Sequence, residues 1–156
     1  MKRVELYTDG GCSGNPGPGG YCAILIYKTH YREVSGGDIL TTNNRMELTA
    51  VIAGLEELKE PCEVVLTSDS KYVLDPLRKG WLEKWEKNNW VKSDKKPVLN
   101  LALWKELLEE VRKHKMIYKW IKGHSGHIYN ERCDGIASDR IYDEIDKAER
   151  KVNRIP

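Results

Sequence analysis

The segment Tyr7–Gly20, YTDGGCSGNPGPGG, decides the fold of this chain. An apolar run over Val4–Thr8 predicts a β-strand that ends in a carboxylate, Asp9. Glycine and proline then fill eight of the eleven positions from 10 to 20, and a second strand-like run, Tyr21–Tyr27, follows at once. Because glycine permits close backbone approach and proline ends a strand, we expect a tight return between two strands. An acid beside uncovered backbone N–H groups suits a metal ion and a phosphate, but a plain hairpin with an aspartate in its turn has the same composition.

The composition is that of one globular domain. The chain has 156 residues, of which 40% are hydrophobic and 32% charged. No run approaches the roughly 18 apolar residues of a membrane helix, and the first strand leaves no room for a signal peptide. We therefore expect a cytoplasmic protein with no membrane association and, by default, a monomer with no obligate protein partner. The four cysteines lack C-x-x-C spacing, which favours reduced thiols over disulfides or zinc.

Charge is unevenly distributed along the chain. The overall net charge of +2 is too small to indicate a nucleic-acid partner. Residues 77–100, however, contain seven basic and three acidic residues, a local net charge of +4, with three tryptophans among the lysines. Such a segment is typical of a solvated amphipathic helix or of a surface that binds phosphates.

Hydrophobic patterning predicts alternating strands and helices. Five strands are expected, at Val4–Thr8, Tyr21–Tyr27, Tyr31–Ser35, Glu63–Ser68 and Met116–Ile121. Between the third and fourth, apolar residues from Leu48 to Leu58 recur at helical spacing, and Asn44 with Glu47 resembles a capping box at the start of that helix. The helix makes strands one and four natural parallel neighbours through a right-handed crossover.

Two aspartates, Asp9 and Asp69, are therefore expected at the same edge of the sheet, where ligands of open parallel sheets bind. Glu47 lies in the first turn of the crossover helix and Asp134 in the last helix. Each has a plain alternative, because Glu47 suits a helix N-terminus and Asp134 suits a solvated helix face. Four acids in one cleft would instead indicate bound cations, and oxygen ligands favour Mg²⁺ or Mn²⁺ over zinc.

Five short motifs in order match one family. They are Thr8-Asp9-Gly10, Gly14–Tyr21, Thr42–Leu48 (TNNRMEL), Ser68-Asp69-Ser70 and Lys122–His127 (KGHSGH) followed by Asn130–Asp134 (NERCD). In order and spacing they closely resemble bacterial type 1 ribonuclease H, from about Val4 to Ala137. The resemblance implies an α/β domain of the ribonuclease H-like fold, with a five-stranded mixed sheet of order 3-2-1-4-5 flanked by helices. We expect the catalytic domain to span residues 1–142 and a charged tail or helix extension to span 143–156.

The resemblance also implies an activity and its residues. The expected enzyme is an endonuclease, a hydrolase that cuts the RNA strand of RNA/DNA hybrids without base specificity and leaves 5′-phosphate and 3′-hydroxyl ends. Asp9, Glu47, Asp69 and Asp134 would bind two Mg²⁺ ions, with Mn²⁺ as a substitute, and His124 would assist proton transfer or product departure. For His127, three residues on, a structural turn contact is the expectation.

Substrate contacts follow from the same resemblance. The backbone of Gly10, Gly11 and Cys12, with the side chains of Asn15 and Asn44, would recognise the RNA 2′-hydroxyl, which donates and accepts hydrogen bonds. Thr42, Asn43 and Arg45 would form a phosphate pocket for the other strand, although both asparagines also suit plain helix capping. The basic segment would grip the DNA strand, through Trp81, Lys84, Trp85, Lys87, Trp90, Lys95 and Lys96.

Three positions depart from the family pattern. Lys71 stands where many relatives carry a glutamine that contacts nucleic acid, Gly11 stands where serine is common, and Gly135 follows Asp134 directly. A lysine retains a phosphate contact and loses amide hydrogen bonding. Glycine inside a helix costs about 0.5–1 kcal/mol relative to alanine.

Two other functions remain open from the sequence. A DNA-cutting nuclease of the same fold would share the carboxylates but would not need 2′-hydroxyl recognition. A non-catalytic hybrid-binding module would share the basic surface but would not need an acidic cluster that repels phosphate.

Overall fold

The computed structural model describes residues 1–152. Its five strands are β1 Lys2–Cys12, β2 Gly17–Tyr27, β3 His30–Thr41, β4 Cys62–Ser68 and β5 Lys115–Trp120. Its five helices are α1 Asn43–Glu56, α2 Lys71–Arg78, α3 Trp81–Lys87, α4 Leu101–Val111 and α5 Ile128–Val152.

The strands form one mixed sheet in the order β3-β2-β1-β4-β5, which confirms the expected topology. β1, β2 and β3 pair antiparallel as a meander, while β4 lies parallel to β1 and β5 lies parallel to β4. Parallel neighbours in a sheet need a crossover connection. For β1 and β4 this connection includes α1, which lies between β3 and β4 along the chain.

The core lies on both faces of this sheet. The larger part joins the sheet to α1 and α4, where Leu6, Leu48 and Leu66 are fully buried beside Trp104. The smaller part lies under α5 and contains Cys22, Ile24, Cys133 and Ala137. The side chains of β1 alternate between these two parts of the core. Val4, Leu6 and Thr8 point to the face covered by α1, whereas Asp9 points to the face covered by α5.

The strands of the meander are longer than the sequence predicts. β1 continues to Cys12 and β2 already begins at Gly17, so the return between them is only the few residues in between and is tight, as expected. Their glycine-rich ends pair with each other, with Gly11 opposite Gly20 and Cys12 opposite Gly19. Glycine without a side chain is tolerated in these strands because other backbone lies against them.

Helix α5 does not stop at residue 142. It continues without interruption to Val152, with Glu144 buried and Ile145 and Ala148 half-buried, so the part of the charged tail up to Val152 extends the helix. Two of its ion pairs, Arg140–Asp143 and Lys147–Glu144, have i,i+3 spacing. The rest of the predicted tail, residues 153–156, lies outside the described residues, and the division of the chain at 142 stays a prediction.

None of the helices in residues 1–152 combines the length and the apolar character that crossing a bilayer requires.

Replacing either of two helical glycines with alanine is expected to change the stability of the protein, in opposite directions for the two positions. A Cβ on Gly54 of α1 would lie 2.7 Å from Leu6 Cδ1 and 3.1 Å from Ala23 Cβ, both in the buried core, whereas a Cβ on Gly135 of α5 meets nothing within 4 Å. Gly54→Ala should therefore lower the free energy of unfolding by about 1–3 kcal/mol through overpacking. Gly135→Ala should raise it by about 0.5–1 kcal/mol, the helix-propensity gain.

Urea denaturation of the two variants beside the wild type measures both values. A Gly54→Ala protein as stable as the wild type would show that α1 does not approach β1 and β2 this closely.

Candidate active site

Asp9 and Asp69 meet because β4 ends before β1 does. The parallel pairing of β1 and β4 runs from Lys2 opposite Cys62 to Tyr7 opposite Thr67, and two further residues in this register bring Asp9 beside Asp69. The expectation that Asp9 ends its strand was wrong, since β1 continues to Cys12 in its pairing with β2. The free edge above the end of β4 nevertheless leaves both carboxylates in the same cleft.

Glu47 reaches this cleft because Gly10 lacks a side chain. A Cβ on Gly10 would lie 2.5 Å from the carbonyl carbon of Met46 and 2.7 Å from the nitrogen of Glu47, so the first turn of α1 rests directly on β1. The predicted capping box was wrong, because the cap is Thr42, whose hydroxyl accepts a hydrogen bond from the nitrogen of Arg45 at 3.2 Å. The Glu47 side chain is thereby free to face the sheet edge.

Three of the four predicted carboxylates form a compact group. Asp9, Glu47 and Asp69 each offer an oxygen within 4.8 Å of the others. Burial first, and then the neighbouring charge of Asp69 and contact with the Asp134 carboxyl, raise the pKa of Asp9 to about 8. Burial, followed by the charges of Asp9 and Asp69, also raises the pKa of Glu47 well above its ordinary value.

This group fits a hard divalent cation. Its donors are carboxylate oxygens only, which suits Mg²⁺ or Mn²⁺. Within residues 1–152, Glu47 Oε2 is buried and has no hydrogen-bond partner, an arrangement that is costly unless a cation lies next to the oxygen. Mutual repulsion, seen in the raised pKa values, is the other indication that the site binds positive charge.

Asp134 lies at the border of the compact group. Its carboxyl raises the pKa values of both Asp9 and Asp69, which places it beside them on α5. Asn130, one turn earlier, is 4% exposed, and its side chain lowers the Asp69 pKa against the larger effect of burial. Sequence reasoning gave Asn130 no role, although it begins the Asn130–Asp134 motif.

His124 lies in the turn beside Asp69. Its backbone is left-handed, with φ of 55°, and its charge lowers the pKa of Asp69. The preceding residue must be small, since a Cβ on Gly123 would lie 2.6 Å from Asp69 Oδ2. His127 has the structural contact expected of it, because its Nδ1 accepts a hydrogen bond from the nitrogen of Asn130 at 3.4 Å.

Trp120 is a second residue that the sequence did not single out. Its indole nitrogen donates to the carbonyl oxygen of Asp69 at 3.0 Å, joining the ends of β5 and β4. The ammonium of Lys71 lies 4.7 Å from the centre of the Trp120 ring. Lys71 is thus held at the border of the acidic cleft by a cation–π contact.

The glycine-rich turn is tied to the start of α1. The nitrogen of Cys12 donates to Asn43 Oδ1 at 2.7 Å, and the nitrogen of Asn43 donates to Asn15 Oδ1 at 3.0 Å. Asn43 therefore connects two segments and is not a helix cap. Asn44 and Arg45 are exposed beside it.

The predicted DNA-binding segment forms a lobe around α3 that packs against the main core through Leu82 and Val98. Trp81 is 38% exposed and lies 6.3 Å from Trp85 between ring centres, while Trp85 and Trp90 pack partly against the core. The four predicted lysines of this segment are exposed, and none has a salt bridge within residues 1–152: Lys84, Lys87, Lys95 and Lys96. Trp85 and Trp90 thus have a structural role, whereas Trp81 and the lysines remain available to a partner.

Comparisons with known proteins agree on one family. Residues 1–142 match the family model described as RNase H. The chain is 58% identical over 138 residues to the Ribonuclease H of Thermoanaerobacter sp. (strain X514), covering 88% of this chain and 89% of that protein. It is 57% identical over 138 residues to the Ribonuclease H of Idiomarina loihiensis, covering 88% and 87%.

Solved structures give the same result. LC9-RNase H1, described as a type 1 RNase H with the type 2 active-site motif, superposes with a TM-score of 0.82 at 30% identity, covering 92% of this chain and 74% of that one. The foamy viral protease-reverse transcriptase in complex with dsDNA superposes with a TM-score of 0.74 at 21% identity and shares the fold.

From the acidic cluster, we predict that neutralising Asp9 stabilises the metal-free protein. The Asp9 pKa is raised to about 8 in the folded state from about 4 when unfolded, so the folded state holds a proton that the unfolded state releases. The contribution of Asp9 to the free energy of unfolding is therefore fully present below pH 4 and is lost as the pH rises toward 8. In chelator at pH 8, Asp9→Asn should melt several degrees above the wild type, and Mg²⁺ should raise the melting temperature of the wild type far more than that of the variant.

Calorimetry at pH 5 and pH 8, with chelator and with Mg²⁺, measures this difference. The control is Asp139→Asn, an exposed carboxylate of α5. If Asp9→Asn melts below the wild type in chelator at pH 8, the carboxylates do not repel one another in the folded protein.

Proposed function

The chain belongs to the RNase H family, and we propose that it is an endonuclease that hydrolyses the RNA strand of RNA/DNA hybrids without base specificity, leaving 5′-phosphate and 3′-hydroxyl ends. The observation that carries this proposal is the compact group of Asp9, Glu47 and Asp69. A cleft of repelling carboxylates suits cation-dependent phosphodiester hydrolysis.

The proposed catalytic carboxylates are Asp9, Glu47, Asp69 and Asp134, which would hold two Mg²⁺ ions, with Mn²⁺ as a substitute. When bound, such a pair supplies activation of the attacking water and stabilisation of the leaving oxygen. The protein positions these ligands through local contacts: Trp120 donates a hydrogen bond to the carbonyl oxygen of Asp69, and Gly10 allows the backbone of Glu47 to rest on β1.

His124 is proposed to move protons or release product. It lies in the turn that packs on Asp69, and its charge acts on that carboxylate. Histidine exchanges a proton near neutral pH, which suits this duty. Both sides of the turn contain glycine, which lets the backbone adopt positive φ at Gly126.

The RNA strand is proposed to be recognised at the end of β1 and in the turn that follows it. The backbone of Gly10, Gly11 and Cys12, with Asn15 and Asn44, would contact the ribose 2′-hydroxyl. Asn43 already links Cys12 to Asn15, so the group is preorganised before substrate binds. Thr42, Asn43 and Arg45 would hold a phosphate of the other strand.

The lobe around α3 is proposed to bind the DNA strand. Its exposed lysines, Lys84, Lys87, Lys95 and Lys96, would contact phosphates, with Trp81 packing on a sugar and Trp85 and Trp90 supporting it. Lys71, held against Trp120, would add a phosphate contact near the cleft. Phosphate contacts give affinity without sequence preference.

We further propose that the catalytic domain spans residues 1–142 and that the protein acts as a monomer in the cytoplasm. Two other functions explain less of the molecule. A DNA-acting nuclease would have no need of the ordered turn for a 2′-hydroxyl, and a hybrid-binding module would have no need of four acids that repel phosphate.

Cleavage of labelled duplexes tests the proposed reaction. We expect the RNA strand of RNA/DNA to be cut in Mg²⁺, with RNA/RNA and DNA/DNA left intact. Chelator and Asp9→Asn should each abolish cleavage, and Asp139→Asn should not. Binding without cutting in any divalent metal would establish the binding module instead, and cutting of DNA/DNA would establish the DNA-acting nuclease.

The lysines of α3 should set the salt dependence of binding. In double-stranded DNA, the slope of log affinity against log salt is about −0.9 for each phosphate contact. In a catalytically inactive Asp9→Asn background, adding Lys84→Ala and Lys87→Ala should weaken hybrid binding and make the slope shallower by roughly 1.8.

Fluorescence anisotropy across a salt series measures this slope. Adding Lys113→Ala to the same background removes a lysine at the far end of α4, paired with Glu110, and serves as the control. An unchanged slope in the α3 double variant would place the DNA strand elsewhere.

A further inference from the structure

The glycine-proline turn after β1 and the first residues of β2, together residues 13–20, lie between two helices. On one side Asn43 at the start of α1 ties down Cys12 and Asn15. Within the turn, the nitrogen of Ser13 donates to the carbonyl oxygen of Pro18 at 2.8 Å. The turn contains no apolar core of its own, so its conformation depends on what lies against it on the other side.

That other side is α5. A Cβ on Gly20 would lie 2.5 Å from the carbonyl oxygen of Ala137 and 2.8 Å from the nitrogen of Ile141, so the helix backbone touches the start of β2. The Cδ1 of Ile141 would lie 3.5 Å from a Cβ on Gly11, in ordinary van der Waals contact. The helix thus supports both the end of β1 and the strand that follows the turn.

The same side of α5 continues beyond residue 142, outside the part of the chain that matches the family model. Pro18 faces Ile145, Ala148 and Val152 across a groove, and these helix residues share one face because they are spaced i, i+3 and i+7. Glu144 anchors this part of the helix: it is 7% exposed, and its Cγ would lie 2.7 Å from a Cβ on Gly37 of β3.

We propose that the last turns of α5, residues 143–152, position the turn that reads the RNA ribose, with Ile145 as the principal positioning residue. This inference rests on the proposed function. The physical reason is preorganisation. Substrate affinity is proportional to the fraction of free protein whose turn is already in the binding conformation, so the affinity falls when that fraction falls. Ile145 would act through Pro18 on Ser13 and Cys12 and would touch neither substrate nor the reacting atoms.

A merely stabilising helix would have a different signature. It would change the free energy of unfolding while leaving the turn unaffected in the folded protein. A positioning helix changes the local opening of the turn, and with it KM, while kcat stays the same because the carboxylates do not move.

The test uses the full-length chain with Ile145→Ala, and with Ile145→Val as the conservative variant. Tyr142→Ala is the matched control, since Tyr142 is 68% exposed on another face of the same helix. Val111→Ala, in the core end of α4, controls for general loss of stability. Hydrogen exchange of the Cys12 and Ser13 amides in the free protein reports the turn, and steady-state cleavage of an RNA/DNA hybrid reports KM and kcat.

We expect Ile145→Ala to speed exchange at Cys12 and Ser13 and to raise KM about fivefold, as for a competent fraction of about 0.2, with kcat within about twofold of the wild type. Ile145→Val should restore most of both values, and the two controls should leave them unchanged. Unchanged exchange at both amides in Ile145→Ala, or an equal effect of Val111→Ala, would overturn the positioning role. If the wild type cleaves no hybrid, the proposed function fails, and the exchange comparison still decides whether α5 holds the turn.

Discussion

The parallel pairing of β1 with β4 is the contact on which the site depends. It sets the register in which Tyr7 lies opposite Thr67, and because β4 ends one residue later, Asp9 and Asp69 face each other beyond the paired region. The crossover helix α1 that makes this pairing possible also delivers Glu47. One topological feature therefore brings together three acids that are far apart in the chain, and a slip of one residue would turn Asp9 to the opposite face.

Electrostatics in this cleft opposes folding in the absence of cations. Burial and mutual repulsion raise the pKa of Asp9 to about 8 and raise that of Glu47 as well. The surroundings keep the acids in place nonetheless, through the close packing of Gly123 on the Asp69 carboxylate and the hydrogen bond from Trp120 to the Asp69 carbonyl oxygen. A site strained in this way gains stability when it binds divalent cations, so cation affinity and fold stability are linked.

The surfaces proposed to bind substrate are built differently from one another. The turn proposed to read RNA is tied to α1 by Asn43 and flanked by α5, so little reorganisation is needed when substrate binds. The lobe around α3 stands on packed aromatic rings, with Trp85 5.8 Å from the buried Trp104, and presents exposed lysines. Rigid recognition of the ribose and adaptable contact with phosphates suit a protein that distinguishes strands but not bases.

The sequence by itself determined the number of strands, the parallel pairing of the first and fourth strands and the convergence of Asp9 with Asp69, because hydrophobic periodicity and the right-handed crossover are local or topological rules. It also identified the family, through motifs that keep their order and spacing. The full sheet order followed from the family resemblance. Tertiary structure alone decided that Thr42 and not Asn44 caps α1, that Asn43 bridges to Cys12, and that Asn130 and Trp120 support Asp69. Those outcomes depend on which groups lie next to one another across distant segments, and residue spacing along the chain does not contain that information.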